Sequence, residues 1–121
     1  MQNPANLEVY HRALDLAARV HRITRRIPNS ASPGLASQLA RAAASVPANI
    51  AEGVGHPNPG RCPFHLGVAI ASAFEVEAHL QLAQKLGHRI AEFGEVLDEL
   101  DQIRRMLYSL RAYRERRLKN D

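Results

Sequence analysis

Apolar positions recur at three- and four-residue steps in four separate stretches of the chain, and each stretch predicts an amphipathic helix. The second is the clearest. Leu35, Leu39, Ala42 and Ala43, Val46 and Ile50 share one face, and the small residues Ala42, Ala43 and Ala44 admit a neighbouring helix closely. Pro47 sits inside this pattern. It has no N–H for the carbonyl of Ala43 and its ring presses on that turn, so a kink is predicted there. Gly53 and Gly55 are expected to end the helix.

The first helix is predicted over residues 7–27, with Leu7, Tyr10, Leu14, Ala17, His21 and Thr24 as its apolar stripe. Residues 28–34 read as a loop, Ser32 as the cap of the next helix, and Pro33 as its first residue. Residues 53–63 carry Pro57, Pro59 and Pro63 and read as a second loop. The third helix is predicted from about Pro63 to Leu86, with Leu66, Ala69 and Ile70, Ala73, Val76, Leu80 and Ala83 as its seam and Gly87 just past its end. The fourth is predicted from about Ala91 to Arg117, on a stripe of Phe93, Val96 and Leu97, Leu100, Ile103, Leu107 and Leu110.

The faces away from these stripes carry the functional questions. The third helix has a second apolar side, formed by Phe64, Val68, Ala71, Leu82 and Leu86 and interrupted by Glu75 and His79. A helix apolar on two sides is normally buried on two sides. In a chain this short, self-association is the natural use of the second side, with Phe64, Val68, Leu82 and Leu86 as the expected interface. The first helix carries Arg12, Arg19, Arg22 and Arg26 opposite its predicted stripe, with Glu8 and Asp15 each four residues before an Arg. This arrangement reads either as a solvated, salt-bridged face or as a binding stripe. The fourth helix starts acidic and ends basic, at Arg111, Arg114, Arg116, Arg117 and Lys119. That polarity complements the helix dipole, so the basic end also has a structural explanation. Beside the predicted kink, Asn49 and Glu52 are expected to form a structural polar cluster with Arg41, Ser45 and Ser72.

Residues 38–55, QLARAAASVPANIAEGVG, closely resemble a pattern found in a family of four-helix proteins encoded in the intervening sequences of large-subunit ribosomal RNA genes. The second helix of that family reads Q-I-R-R-A-A-x-S-I-P-x-N-I-A-E-G. Gln38, Arg41, Ala42, Ala43, Ser45, Val46, Pro47, Asn49, Ile50, Ala51, Glu52 and Gly53 fit it, whereas the first Arg of the pair is Ala40 here. In the third helix Leu66, Val68, Ala69, Ser72, Glu75, Glu77 and Leu80 fit or nearly fit the family pattern, while Phe64-His65 stands where Arg-Phe is usual and Ala71 where Gly is. The chain is also similar to the accessory variability proteins of diversity-generating retroelements. These resemblances imply an all-α, antiparallel, up-and-down four-helix bundle and a ring-like homo-oligomer, most simply a pentamer. The retroelement relatives bind nucleic acid and a nucleic-acid enzyme, their reverse transcriptase, through a basic outer surface. For most of the family no activity is known.

Composition narrows the alternatives. At 121 residues the chain is expected to form one domain, residues 1–121, with residues 1–6 and 118–121 frayed. Apolar residues make up 45% of it with no Trp, which suits packed helices. The single cysteine, Cys62, permits no internal disulfide and points to a reducing compartment. No signal-like or membrane-spanning run is evident, so a cytoplasmic location is expected. The six histidines do not cluster, and the Glu75–His79 spacing is not the Glu-x-x-His of di-iron bundles, so neither metal nor cofactor is expected. Cys62 has no activating base in sequence and no phosphate-loop pattern occurs, which argues against an enzyme. A net charge of +4 permits RNA or DNA as partner without demanding it. Arg12, Arg19, Arg22, Arg26, Arg114, Arg116 and Arg117 are the candidate contacts, mainly to phosphate. The sequence thus supports a non-enzymatic homo-oligomeric binding protein. The alternative is a purely structural or protein-binding oligomer with no nucleic-acid role.

Overall fold

The computed structural model describes Pro4 and residues 7–120. Among these residues the chain is all-α, with four long helices and no strand. They are α1 (Glu8–Thr24), α2 (Leu35–Gly55), α3 (Cys62–Lys85) and α4 (Phe93–Asn120), with a short 3-10 turn at Pro59–Arg61 before α3. Helix α2 packs against α1 and α3, and α4 packs against α3 and α1. Their inward residues form one contiguous apolar cluster. The fraying expected at residues 1–6 lies, Pro4 apart, outside the described residues. At the other end α4 stays helical through Asn120.

The inward faces of α2, α3 and α4 are those the periodicity predicts: Leu39, Val46 and Ile50, then Leu66, Ala73, Val76 and Leu80, then Val96, Leu100, Ile103 and Leu107 are all fully buried. Helix α1 differs. Its buried face is Val9, Ala13, Leu16, Val20 and Ile23, continued by Ile27 beyond the helix end. Of the expected stripe, Leu7, Tyr10 and Ala17 pack only at the edge of the core, Leu14 is 40% exposed and His21 is exposed. Two apolar series interlace on this helix at the same spacing. The one containing Val20, Ile23 and Ile27 buries more apolar surface than the one ending in His21 and Thr24.

The helix ends show how the chain turns. Gly87 (φ +94°) follows α3. The N–H of Gly87 bonds the carbonyl of Gln84, and that of His88 bonds the carbonyl of Ala83, the reciprocal closure of a helix C-terminus. At the start of α2 the expected Ser32 cap is replaced. Gly34 (φ +82°) occupies the cap, with its N–H on Asn29 Oδ1. Ser32 is buried and its Oγ lies 2.7 Å from His88 Nε2, tying together the two connections at that end of the molecule. Helix α2 continues through Pro47 as far as Gly55, so Gly53 is a helical residue rather than a stop.

Candidate functional site

The arginines of α1 meet the acidic first half of α4. Arg12 grips Glu99 with both arms of its guanidinium, Nε donating at 2.9 Å, and also donates to Gln102. Arg19 pairs with Glu95, and Arg26 donates to Glu92 at 2.8 Å. The partner numbers fall as the arginine numbers rise. The bond to Glu99 pushes the Arg12 guanidinium above its ordinary range, and Arg26 holds the Glu92 carboxyl below its own. Asp15 and Asp98 line the same groove with Arg19, Glu95 and Glu99, so its middle is acidic on balance. Of the four candidate arginines on α1 and the turn after it, three are therefore paired in the seam with α4 and the residue before it, and Arg22 alone is exposed without an ion pair among the described residues.

A second cluster bridges α2 and α3 beside Pro47. Ser72 Oγ donates to Ser45 Oγ at 2.8 Å. Asn49 Nδ2 donates to the Ser45 carbonyl at 2.9 Å and to its hydroxyl at 3.0 Å. With its amide so committed, Asn49 turns Oδ1 toward His65 Nδ1, 3.4 Å away, and Glu52 Oε2 is 3.5 Å from the same nitrogen. Both neighbours are acceptors, so the buried His65 ring turns Nδ1 toward them as a donor. His56 stacks against it. Arg41, expected in this cluster, is exposed and hydrogen-bonds to none of it. His65 takes that place instead, because α3 crosses α2 at Gly53, where the two backbones come close.

The outward side of α3 carries large apolar side chains, interrupted by the Glu75–His79 pair. Phe64, Phe74, Leu82 and Leu86 are each about half exposed, and Val68 is half-buried. Where α3 meets α4, Arg104 is buried, with Nη2 donating to Glu77 at 3.0 Å and its guanidinium 4.2 Å from the ring of Phe74. Its Nη1 is buried without an acceptor. Neither Phe74 nor Arg104 stands out in the sequence. The spacing of Arg104 four residues after Leu100 is the one signal that it faces inward.

The last turns of α4 pass the start of α3. The guanidinium of Arg111 sits 3.4 Å from where a Cβ on Gly67 would be, and the charge of Arg114 acts on Cys62. Burial pushes the Cys62 thiol upward and Arg114 only partly opposes this, so the thiol is not activated. Beyond the core, Arg116, Arg117 and Lys119 are exposed. Arg61 lies 4.7 Å from the centroid of Phe64, and Arg117 lies 5.9 Å from that of Tyr113. These are aromatic neighbours that the sequence alone does not place beside the cations. Among the described residues no group of three or more His, Cys, Asp or Glu is placed to hold a metal ion, and no helix is long and apolar enough to cross a membrane.

Four packed helices with the Pro47–Asn49–Gly53 run at the α2–α3 crossing define a class of small all-α proteins. The 23S rRNA-intervening sequence protein model matches residues 5–109, and the chain belongs to that family. A solved structure from Bacteroides thetaiotaomicron, described as a protein of unknown function from the S23 ribosomal protein family, is similar to it in fold. The TM-score is 0.77 at 22% identity, covering 84% of this chain and 96% of that one. No curated protein matches the sequence.

Proposed function

We propose that this chain is a non-enzymatic, self-associating binding protein. The observation that carries the reading is the outward face of α3, where Phe74, Leu82 and Leu86 stand half exposed on one helix. Clustered apolar surface of this kind marks an interaction site. The assembly is a homo-oligomeric ring, a pentamer by family resemblance, built on single-domain subunits. Val68, Leu82 and Leu86 remain interface residues from the sequence reading and Phe74 joins them. Each subunit is an up-and-down bundle with antiparallel neighbours, which the reversed order of the α1–α4 pairs supports. Helix α2 bends at Pro47, where the ring excludes a bond to Ala43. A cytoplasmic setting accords with the lone buried thiol of Cys62.

The partner is nucleic acid, or an enzyme acting on it, reached through the basic end of α4. Arg114, Arg116 and Arg117 stay in the proposal with Arg22, whereas Arg12, Arg19 and Arg26 serve the α1–α4 seam. Repetition around a ring would multiply weak phosphate contacts into useful affinity. The neutralised α1 seam favours a second reading, a structural or protein-binding oligomer without a nucleic-acid role. A titration of labelled RNA and DNA at low and moderate salt separates the two. Binding that weakens steeply with salt and is lost in Arg116→Glu/Arg117→Glu supports the first reading. No binding at low salt supports the second.

A further inference from the structure

The end of the molecule where α4 passes the start of α3 carries aromatic rings as well as cations. Two half-exposed aromatic rings there, Phe64 at 54% and Tyr113 at 47%, each have a guanidinium over the ring, from Arg61 and Arg117. Arg116 and Lys119 are exposed on the same last turns of α4 as Tyr113. A surface for phosphate alone needs no rings, and a surface for a second copy needs no such density of cations. Phe64 lies at the start of α3, one turn before Val68 and eighteen residues, about 27 Å along a helix, from Leu82. Among the described residues Glu115 lies 3.9 Å from Arg111, and Arg61, Arg116, Arg117 and Lys119 form no ion pair.

We infer that this end of the molecule binds single-stranded nucleic acid, with unpaired bases stacked on Phe64 and Tyr113 and the backbone held by Arg61, Arg116, Arg117 and Lys119. The inference rests on the nucleic-acid reading above and specifies its ligand. Base stacking on exposed rings and cation contacts from Arg are the means by which single strands are held, and the same cation can serve the neighbouring phosphate. In a duplex the bases are already stacked on one another, so the rings gain nothing there. Stacking is tolerant of base identity, and little sequence preference is expected.

The test is fluorescence anisotropy with labelled oligo(dT) of about 12 nucleotides, within the usual range of such sites, and with its duplex on oligo(dA). The full chain is compared with Phe64→Ala, Tyr113→Ala and Tyr113→Phe. Both alanine sites are half exposed, so helical circular dichroism should be unchanged. The single strand should bind more tightly than the duplex. Each alanine variant should weaken the single strand roughly tenfold and leave the duplex unaffected, and Tyr113→Phe should bind as wild type. Equal affinity for the two probes, or alanine variants that bind the single strand normally, would overturn the stacking assignment while leaving the parent reading intact. Displacement of the oligonucleotide by polyglutamate as readily as by unlabelled oligo(dT) would also overturn it, assigning the end to an acidic protein. If neither probe binds, the parent reading falls with it.

Discussion

A Cβ placed on Gly53 would lie 2.8 Å from the Cβ of His65 and 3.2 Å from the carbonyl oxygen of Cys62. Neither neighbour is the free end of a flexible side chain, so α2 and α3 can cross this closely only over glycine. The same approach brings His65 to Asn49 and Glu52. Gly53 thus links the packing of two helices to the polar cluster beside Pro47.

Gly53→Ala should therefore destabilise the fold. Overpacking of this kind costs about 1–3 kcal/mol, and the better helix propensity of Ala returns at most about 1 kcal/mol. A net loss is expected in urea unfolding, whereas Gly94→Ala, which meets open space, should be neutral or slightly stabilising. A Gly53→Ala chain as stable as wild type would contradict the close crossing.

Asn49→Leu removes the donor to Ser45 and the acceptor facing His65 in one step. Leaving such groups unpaired costs about 1–3 kcal/mol, measurable as a lower denaturation midpoint. Asn49→Ser, which keeps a polar group but shortens it, should fall between.

Acid should loosen the seam between α1 and α4. Arg26 lowers the Glu92 carboxyl below its unfolded value, so its contribution is present above the ordinary carboxylate range and is lost as pH falls through the folded value. Thermal melts at decreasing pH should show this loss, and Glu92→Gln should flatten the dependence. The Arg12–Glu99 pair, bidentate and only partly exposed, should show a coupling of about 1 kcal/mol in a double-mutant cycle, at the upper end for such pairs.

Arg104→Met tests the α3–α4 seam. It removes a buried guanidinium whose Nη1 has no acceptor, but it also strips Glu77 of its partner. Glu77 is only partly buried and can turn to water. The substitution should consequently cost less than about 1 kcal/mol, and Arg104→Met/Glu77→Gln should recover the difference, because apolar replacements of buried ion pairs are often neutral or better. Chemical denaturation of both variants reads this directly.

Much of the architecture was legible because the inward faces of α2, α3 and α4 carry unbroken apolar periodicity. Helix α1 was not, because two interlaced series fit the same spacing and only the neighbouring helices choose between Leu14 and Leu16. The arginines of α1 look like a solvent-facing stripe in sequence. Their partners Glu92, Glu95 and Glu99 are more than sixty positions away along the chain, beyond any local pattern. Asn49, Ser45 and Ser72 were legible as a polar group beside Pro47. His65 was not, since only the close crossing at Gly53 brings it there. Likewise, nothing in the spacing of Arg61 and Phe64, or of Tyr113 and Arg117, distinguishes a cation over a ring from two neighbours pointing apart.

The mass of the native particle tests the central claim, that the outward face of α3 is a self-association surface. Light scattering on the unmodified chain at micromolar concentration should give several times the 13.4 kDa subunit mass, and Leu82→Glu/Leu86→Glu should give smaller particles with unchanged helical circular dichroism. A monomer in the unmodified chain, or a variant that assembles as wild type does, would contradict the account.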